Sequence, residues 1–241
     1  AAKKCLDLGH HVDELKSVLS DQKLAQDASE AFLIIEAACT AADLRMESEL
    51  LKRPLKSEDF ELLTEYTKSE SLIKHALAVE AAMRAYAGKL GQDEELWGIT
   101  GLLHDFDYER YPTLEDHPAK GAAILEGLGY PEEVVYAVRS HSERLGVPRA
   151  HLLDKALFAV DELTGMITAA ALVRPSKSVI DLTTQSVRKK MKDKAFARGV
   201  NREDIAKGAE ELGMDLNEHI EFVIEAMRSI AVELGLKGNT G

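Results

Sequence analysis

Apolar residues recur at three- and four-residue steps along most of the chain, which is the pattern of amphipathic helices. The clearest stripe is formed by Leu72, Ala76, Val79, Met83 and Tyr86. No segment alternates convincingly between apolar and polar residues as a strand would, and no internal repeat is visible. The sequence therefore predicts an all-α protein.

Capping residues, glycines and prolines divide this pattern into separate helices. One helix begins at Ser69 or Ser71 and runs to about Lys89, before Gly91. The segment 107–118 contains two prolines and is predicted to be a loop. The other predicted helices span residues 11–19, 28–52, 58–67, 93–105, 119–127, 131–144, 149–172, 176–191, 202–212 and 216–234.

A boundary is predicted at KRPLKSED (52–59), where a proline and several charged residues interrupt the helical pattern. Ser57 can cap the helix that follows, because its side-chain oxygen can accept bonds from free backbone N–H groups. We therefore divide the chain into an N-terminal helical extension, residues 1–56, and a main helical domain, residues 57–241. No motif indicates what the extension does, although its helices could mediate a homodimer.

The charge of the chain bears on its partners. Its 30 basic and 42 acidic residues give a formal net charge of −12, which argues against a nucleic-acid polymer or an anionic membrane as partner.

The apolar run AFLIIEAAC (31–39) is interrupted by Glu36 and is shorter than the ~20 residues of a membrane span. No signal peptide is visible, and two cysteines suit a reducing compartment. We expect a cytoplasmic protein.

The stretch GITGLLHDFDYERY (98–111) ends an apolar run with His104 and Asp105. His75 lies within the apolar stripe of an earlier helix, and Asp161 lies on the apolar helix ALFAVDELTG (156–165). A buried carboxylate without a partner is costly. A metal ion would remove that cost and would also give the histidines a partner.

The order of these residues resembles the HD superfamily of metal-dependent phosphohydrolases, in particular a bacterial and archaeal branch of predicted HD hydrolases. The resemblance covers about residues 62–236, and it implies a helical HD-domain bundle. The stretches that carry it are SLIKHALAVEAAMRAYA (71–87), ELWGITGLLHDFDYE (95–109), HPAKGAAIL (117–125), HSERLG (141–146) and KALFAVDELTG (155–165).

The resemblance implies a metal site with either one or two ions. The six candidate ligands are His75, His104, Asp105, His117, His141 and Asp161. In two-metal members of the superfamily, extra histidines after the His–Asp pair hold the second ion, and Asp105 would then bridge both. Alternatively, His117 opens a helix and His141 faces solvent. Mixed nitrogen and oxygen ligands suit Mn, Fe, Zn, Co or Ni better than Mg or Ca.

Other polar residues near these ligands are candidates for catalysis or substrate binding. Asp105 could orient the attacking water, and Asp107 and Glu109 occupy the region where some HD enzymes use a further carboxylate. Lys120 and Arg144 are candidates for binding the phosphate, because guanidinium and ammonium groups pair with phosphoryl oxygens. Each of these side chains could instead be an ordinary solvated charge.

The expected activity is hydrolysis of a nucleotide or another small phosphate ester by a metal-activated water. One alternative is a di-iron oxygenase acting on a small polyol or phosphonate, since some HD-fold proteins of this six-ligand pattern have that chemistry. A second is a non-catalytic helical module that the metal stabilises. A structural site normally closes the metal shell with fewer ligands, which disfavours that last alternative.

Overall fold

The computed structural model describes residues 57–113 and 115–238. These residues form nine α-helices and contain no β-strand, which confirms the all-α prediction. The predicted extension 1–56 lies outside the described residues. The helices are α1 (Ser57–Tyr66), α2 (Glu70–Leu90), α3 (Glu94–Leu103), α4 (Ala119–Gly127), α5 (Glu132–Ser140), α6 (Leu152–Leu172), α7 (Thr184–Met191), α8 (Arg202–Glu211) and α9 (Leu216–Ser229).

The two longest helices, α2 and α6, form the centre of the bundle and pack against each other. Helix α6 buries residues on most of its circumference, including Leu157, Leu163 and Ile167. Helices α3, α5, α8 and α9 also pack against it. A helix that is apolar nearly all round is stable only when other helices cover it, so α6 is the element around which the others are arranged.

Helices α2 and α3 approach each other closely at Gly101. A Cβ atom at this position would lie 3.0 Å from the backbone N and Cα of Glu80 and 2.9 Å from Cγ of Met83. Glycine is therefore the residue that allows this spacing. The close approach at the middle of α2 keeps the first half of that helix, with His75, near the end of α3, where His104 follows.

For three helices, the range predicted from the sequence extends beyond the observed helix at one end. Helix α5 ends at Ser140, and a short 3-10 turn, Glu143–Leu145, replaces the predicted continuation to residue 144. Helix α7 begins at Thr184 rather than 176, because Thr183 caps it by accepting a bond from the Ser186 N–H. Helix α9 ends at Ser229 rather than 234.

In the part of the chain that the structure describes, no helix combines the length and the apolar character that a bilayer crossing requires.

Candidate metal centre

His104 and His141 each follow the last residue of a helix, α3 and α5 respectively. The last carbonyl groups of a helix lack N–H partners in the next turn. The ring of His104 uses Nδ1 to donate to the Gly101 carbonyl at 2.8 Å, and His141 donates in the same way to Val138 at 2.6 Å. These bonds fix the orientation of both rings and leave each Nε2 atom for another partner.

His75 and His117 are held by side chains. The Thr164 hydroxyl, which itself donates to the Asp161 carbonyl, lies 3.3 Å from Nδ1 of His75. His117 donates from Nδ1 to Asp107 at 2.8 Å. In all four histidines, therefore, Nδ1 is bonded to an oxygen and Nε2 is available to a ligand.

The Asp105 carboxylate lies between the four Nε2 atoms. Its Oδ1 is 3.1 Å from His117 and 3.3 Å from His141, and its Oδ2 is 3.5 Å from His104 and 4.0 Å from His75. The two oxygens of one carboxylate thus face two different pairs of histidines, an arrangement that suits bridging between two ions.

Asp161 completes the first of two groups of possible metal ligands. Its Oδ1 lies 3.0 Å from Nε2 of His75 and 3.4 Å from Nε2 of His104. One group consists of His75, His104, Asp105 and Asp161, and the other of Asp105, His117 and His141; within each group the ligand atoms lie within 4.8 Å of one another.

A divalent metal ion fits this set of residues. Nε2 of His104 is completely buried and has no hydrogen-bond partner among the described residues, a state that normally has a specific explanation. A bound ion would be the missing partner. The surrounding donors, imidazole nitrogens and carboxylate oxygens, are those that transition metals and zinc prefer.

The charges of the centre shift the pKa values of its histidines in the metal-free protein. Burial opposes the charged form of His104, but Asp105 and Asp161 outweigh it and raise the pKa of His104 to about 9. Burial likewise opposes the charge of His117, and its bonds to Asp105 and Asp107 raise its pKa to about 10. The imidazoles of His104 and His117 therefore hold protons that a metal ion would have to displace.

One part of the chain matches a known protein family. Residues 72–166 match the family model described as the HD domain. This segment is similar to the HD domain. The matched range contains all six residues that converge on the centre. The match confirms the predicted resemblance to the HD superfamily of metal-dependent phosphohydrolases.

A similar curated protein is Ribonuclease Y of Desulfotalea psychrophila (strain LSv54 / DSM 12343). It is 30% identical to this chain over 97 residues. The alignment covers 40% of this chain and 18% of the ribonuclease, so the similarity spans less than a fifth of that relative.

A cavity of about 330 Å³ opens beside the HD-domain centre. Four of the candidate ligands, Asp105, His117, His141 and Asp161, line it. The other lining residues are Tyr108, Ser142, Glu143, Arg144, Phe158, Glu162, Asn201 and Asp204. Burial, together with the charge of Asp161, raises the pKa of Glu162 to about 7.

Two predicted catalytic carboxylates have other roles in the structure. Asp107 is completely buried, and its two oxygens accept bonds from His117 and from the Gly121 N–H, each at 2.8 Å. Because both oxygens are engaged and its side chain does not line the cavity, Asp107 positions His117, and its predicted catalytic role stays a prediction. Glu109 instead accepts the N–H groups of Lys68 and Ser69 at the start of α2.

The two predicted phosphate-binding cations differ in their position. Arg144 lines the cavity and is exposed. Lys120 does not line it; its ammonium group pairs with Asp116 at 3.0 Å and lies over the Tyr111 ring. The structure therefore leaves Arg144 as the candidate for binding the phosphate and gives no such position to Lys120.

Several residues of the HD-domain site were missed by the sequence analysis. Thr164 orients His75, and Asn201 and Asp204 reach the cavity from outside the family match. Thr164 could have been noticed, because it lies three residues after Asp161 and thus on the same helix face. Nothing in the sequence around Asn201 indicates that it lies near the centre.

Proposed function

We propose that this chain is a metal-dependent phosphohydrolase that cleaves the phosphoester bond of a nucleotide or another small phosphate ester with water. The observation that carries the proposal is the bridging position of Asp105 between two pairs of Nε2 atoms. The family match and the similarity to a protein named as a ribonuclease support phosphoester chemistry.

Two ions are proposed, each drawn from manganese, iron, zinc, cobalt or nickel. His75, His104, Asp105 and Asp161 would hold one ion, and Asp105, His117 and His141 would hold the other. When bound, such ions lower the pKa of a coordinated water and offset the charge of phosphoryl oxygens.

The residues of the chain supply position and charge. Asp107, Thr164 and the helix-end carbonyls keep the four imidazoles in one orientation, which is how a preorganised site avoids rearrangement during reaction. Arg144, which lines the same cavity, would donate to the phosphate.

The test begins with removal of metal and reconstitution with each candidate ion in turn. Elemental mass spectrometry should give about two ions per chain, and bis(4-nitrophenyl) phosphate should be hydrolysed at the same rate with and without oxygen. Arg144→Gln should raise KM by about tenfold, because it removes a charged partner of the phosphate. Arg139→Gln is the matched control, since Arg139 pairs with Glu126 outside the cavity.

His104→Ala should abolish hydrolysis, whereas His151→Ala should leave it unchanged because His151 lies at the start of α6 and does not line the cavity. Turnover that requires oxygen would replace this proposal with the oxygenase alternative. Absence of turnover with every ion, in protein that binds two metals, would also contradict it.

A further inference from the structure

The most basic part of the sequence is RKKMKDKAFAR, residues 188–198, here called the basic segment. It contains six cations and one acid, although the whole chain carries a net charge of −12. It covers the last turn of α7 and the loop that follows. Lys189, Lys192, Lys194 and Arg198 are exposed.

The cations of the basic segment have no carboxylate partners among the described residues. Elsewhere in this acidic protein such pairs are common: Lys207 is bound to Glu143, and Arg174 to Asp181. Within the segment, Lys190 instead makes a cation–π contact, because its ammonium group lies over the Phe196 ring. Arg188, Lys189 and Lys192 line a pocket that also contains Glu218 and Glu221. The segment nevertheless has more cations than acidic neighbours, and none of its cations is in a direct ion pair with a described residue.

Arg202, the first residue of α8, fixes the shape of the loop. Its guanidinium group donates to the carbonyl oxygens of Val200 at 2.7 Å and Met191 at 3.3 Å. It also binds the carbonyls of Asp193, Phe196 and Ala197. A loop held by one arginine at five carbonyl groups presents its cations on an ordered surface, which lowers the entropic cost of binding a ligand.

The basic segment leads directly to the metal centre. Asn201, three residues after Arg198, lines the cavity, and its N–H donates to Glu162 at 3.1 Å. Three residues span at most about 11 Å, so the Cα atom of Arg198 lies within that distance of the Cα atom of Asn201. Glu162 is the neighbour of Asp161 in the chain. The bond from Asn201 to Glu162 therefore anchors this end of the loop beside a candidate ligand.

The cavity itself offers little positive charge. Among its lining residues Arg144 is the single Lys or Arg, whereas Glu143, Glu162 and Asp204 are acidic. A ligand with several phosphates would therefore have to place the others outside the cavity. Tyr108, 41% exposed at the cavity wall, offers an aromatic ring on which a base could stack.

We propose that the basic segment binds the backbone of a single-stranded nucleic acid whose reacting phosphate lies at the metal centre. The proposal rests on the proposed phosphohydrolase function and narrows its substrate class to oligonucleotides. It differs from the expectation of no nucleic-acid polymer as partner, which rests on the net charge of the whole chain. Electrostatic attraction depends on local charge, and that is positive here.

Binding is tested with a fluorescent single-stranded phosphorothioate RNA of about 12 nucleotides, which keeps the backbone charge and resists hydrolysis. Fluorescence anisotropy is measured on the metal-loaded full chain at about 50 mM salt. Changing Lys189, Lys192, Lys194 and Arg198 together to Gln should weaken binding at least tenfold and reduce the salt dependence, since each phosphate contact contributes about 0.7 to the slope of log K against log salt.

The matched control changes Lys68, Lys89, Lys177 and Lys237 to Gln. It removes the same charge from four exposed positions outside the segment, and it should bind the RNA as the wild type does. Equal weakening in both variants, or none in either, would overturn the proposal. Inorganic polyphosphate of equal charge should bind more weakly than RNA. Equal binding of the two would show that the segment recognises phosphate charge alone, which would overturn the proposal of a nucleic-acid ligand. A DNA strand of the same sequence, measured beside the RNA, shows which of the two nucleic acids the segment binds more tightly.

Hydrolysis separates this proposal from the one on which it rests. The segment variant should hydrolyse bis(4-nitrophenyl) phosphate at the wild-type rate but cleave an unmodified oligonucleotide at least tenfold more slowly. Failure of the wild type to cleave either compound would defeat the phosphohydrolase proposal, and the anisotropy result would still decide whether the basic segment binds a strand.

Discussion

Single residues decide which ring nitrogen each histidine presents to the centre. His104 and His141 bond to carbonyl groups of their own helices, so their orientation follows from their position at a helix end. His117 has no such local partner and depends on the Asp107 carboxylate. A carboxylate that accepts from a ligating imidazole orients the ring and raises its basicity.

We predict that Asp107→Asn weakens metal binding at the group formed by Asp105, His117 and His141. The amide side chain that replaces the carboxylate would accept hydrogen bonds only through its oxygen. Its NH₂ group would then face either the Gly121 N–H or the Nδ1–H of His117, and that N–H group would lose its acceptor. Changes of this kind cost about 10- to 100-fold in metal affinity. Titration with metal, followed by elemental analysis, should show that one of two ions is lost first.

The control for this change is Asp116→Asn, in the same loop. The Asp116 carboxylate pairs with Lys120, whereas the His117 ring is bonded to Asp107, so both ions should remain bound as in the wild type. Retention of both ions by Asp107→Asn, with unchanged affinity, would show that the carboxylate is not needed to position His117.

At the scale of helices, the site depends on how closely α2 and α3 approach. The ligands His75 and His104 belong to different helices, and Gly101 sets the spacing between them. The neighbouring atoms are backbone atoms of Glu80 as well as the Met83 side chain. Backbone cannot rotate out of the way as a side chain can, so any added volume must separate the helices.

We predict that Gly101→Ala destabilises the protein by about 1–3 kcal/mol through overpacking. For a domain of this size the melting temperature should fall by several degrees, and metal affinity should fall with it because His75 and His104 move apart. Thermal unfolding and metal titration measure the two effects. Gly127→Ala is the control, since a Cβ atom there would meet nothing within 4 Å, and an equal melting temperature for both variants would contradict the prediction.

The whole centre behaves as one electrostatic unit, because Asp105 and Asp161 raise the pKa of His104 to about 9 despite its burial. His117 has a pKa of about 10 for the same kind of reason. In the metal-free protein these raised pKa values stabilise the fold fully below pH about 6.5, and this contribution is lost as the pH rises through 9 to 10.

We predict that metal binding at pH 7 releases about two protons, one each from His104 and His117, since a ligating imidazole must be neutral. Metal affinity should therefore rise with pH up to about 9 and level off above 10. Calorimetric titration in buffers of different ionisation enthalpy counts the protons. The His117→Ala variant should release about one fewer, and binding without proton release at pH 7 would contradict the prediction.

The helical class and most helix positions followed from local sequence signals. The glycines and caps around α2, α3 and α4 placed those helices within a few residues, because caps act on neighbouring backbone groups. The predicted start of α7 at residue 176 was wrong, because Thr183 caps the helix. The segment before Thr183 is instead held by contacts such as the ion pair of Arg174 with Asp181. Such contacts join residues whose pairing the periodicity does not show.

The sequence by itself determined the set of candidate ligands, since the order of His75, His104–Asp105 and Asp161 carries the family resemblance whatever their distances. Only the tertiary structure decided what the neighbouring charges do. Asp107 turned out to hold His117, Glu109 to bind the start of α2, and Arg144 to line the cavity. The physical reason is that hydrogen bonding and cavity position depend on distances between elements, whereas helix periodicity and capping depend on residues a few positions apart.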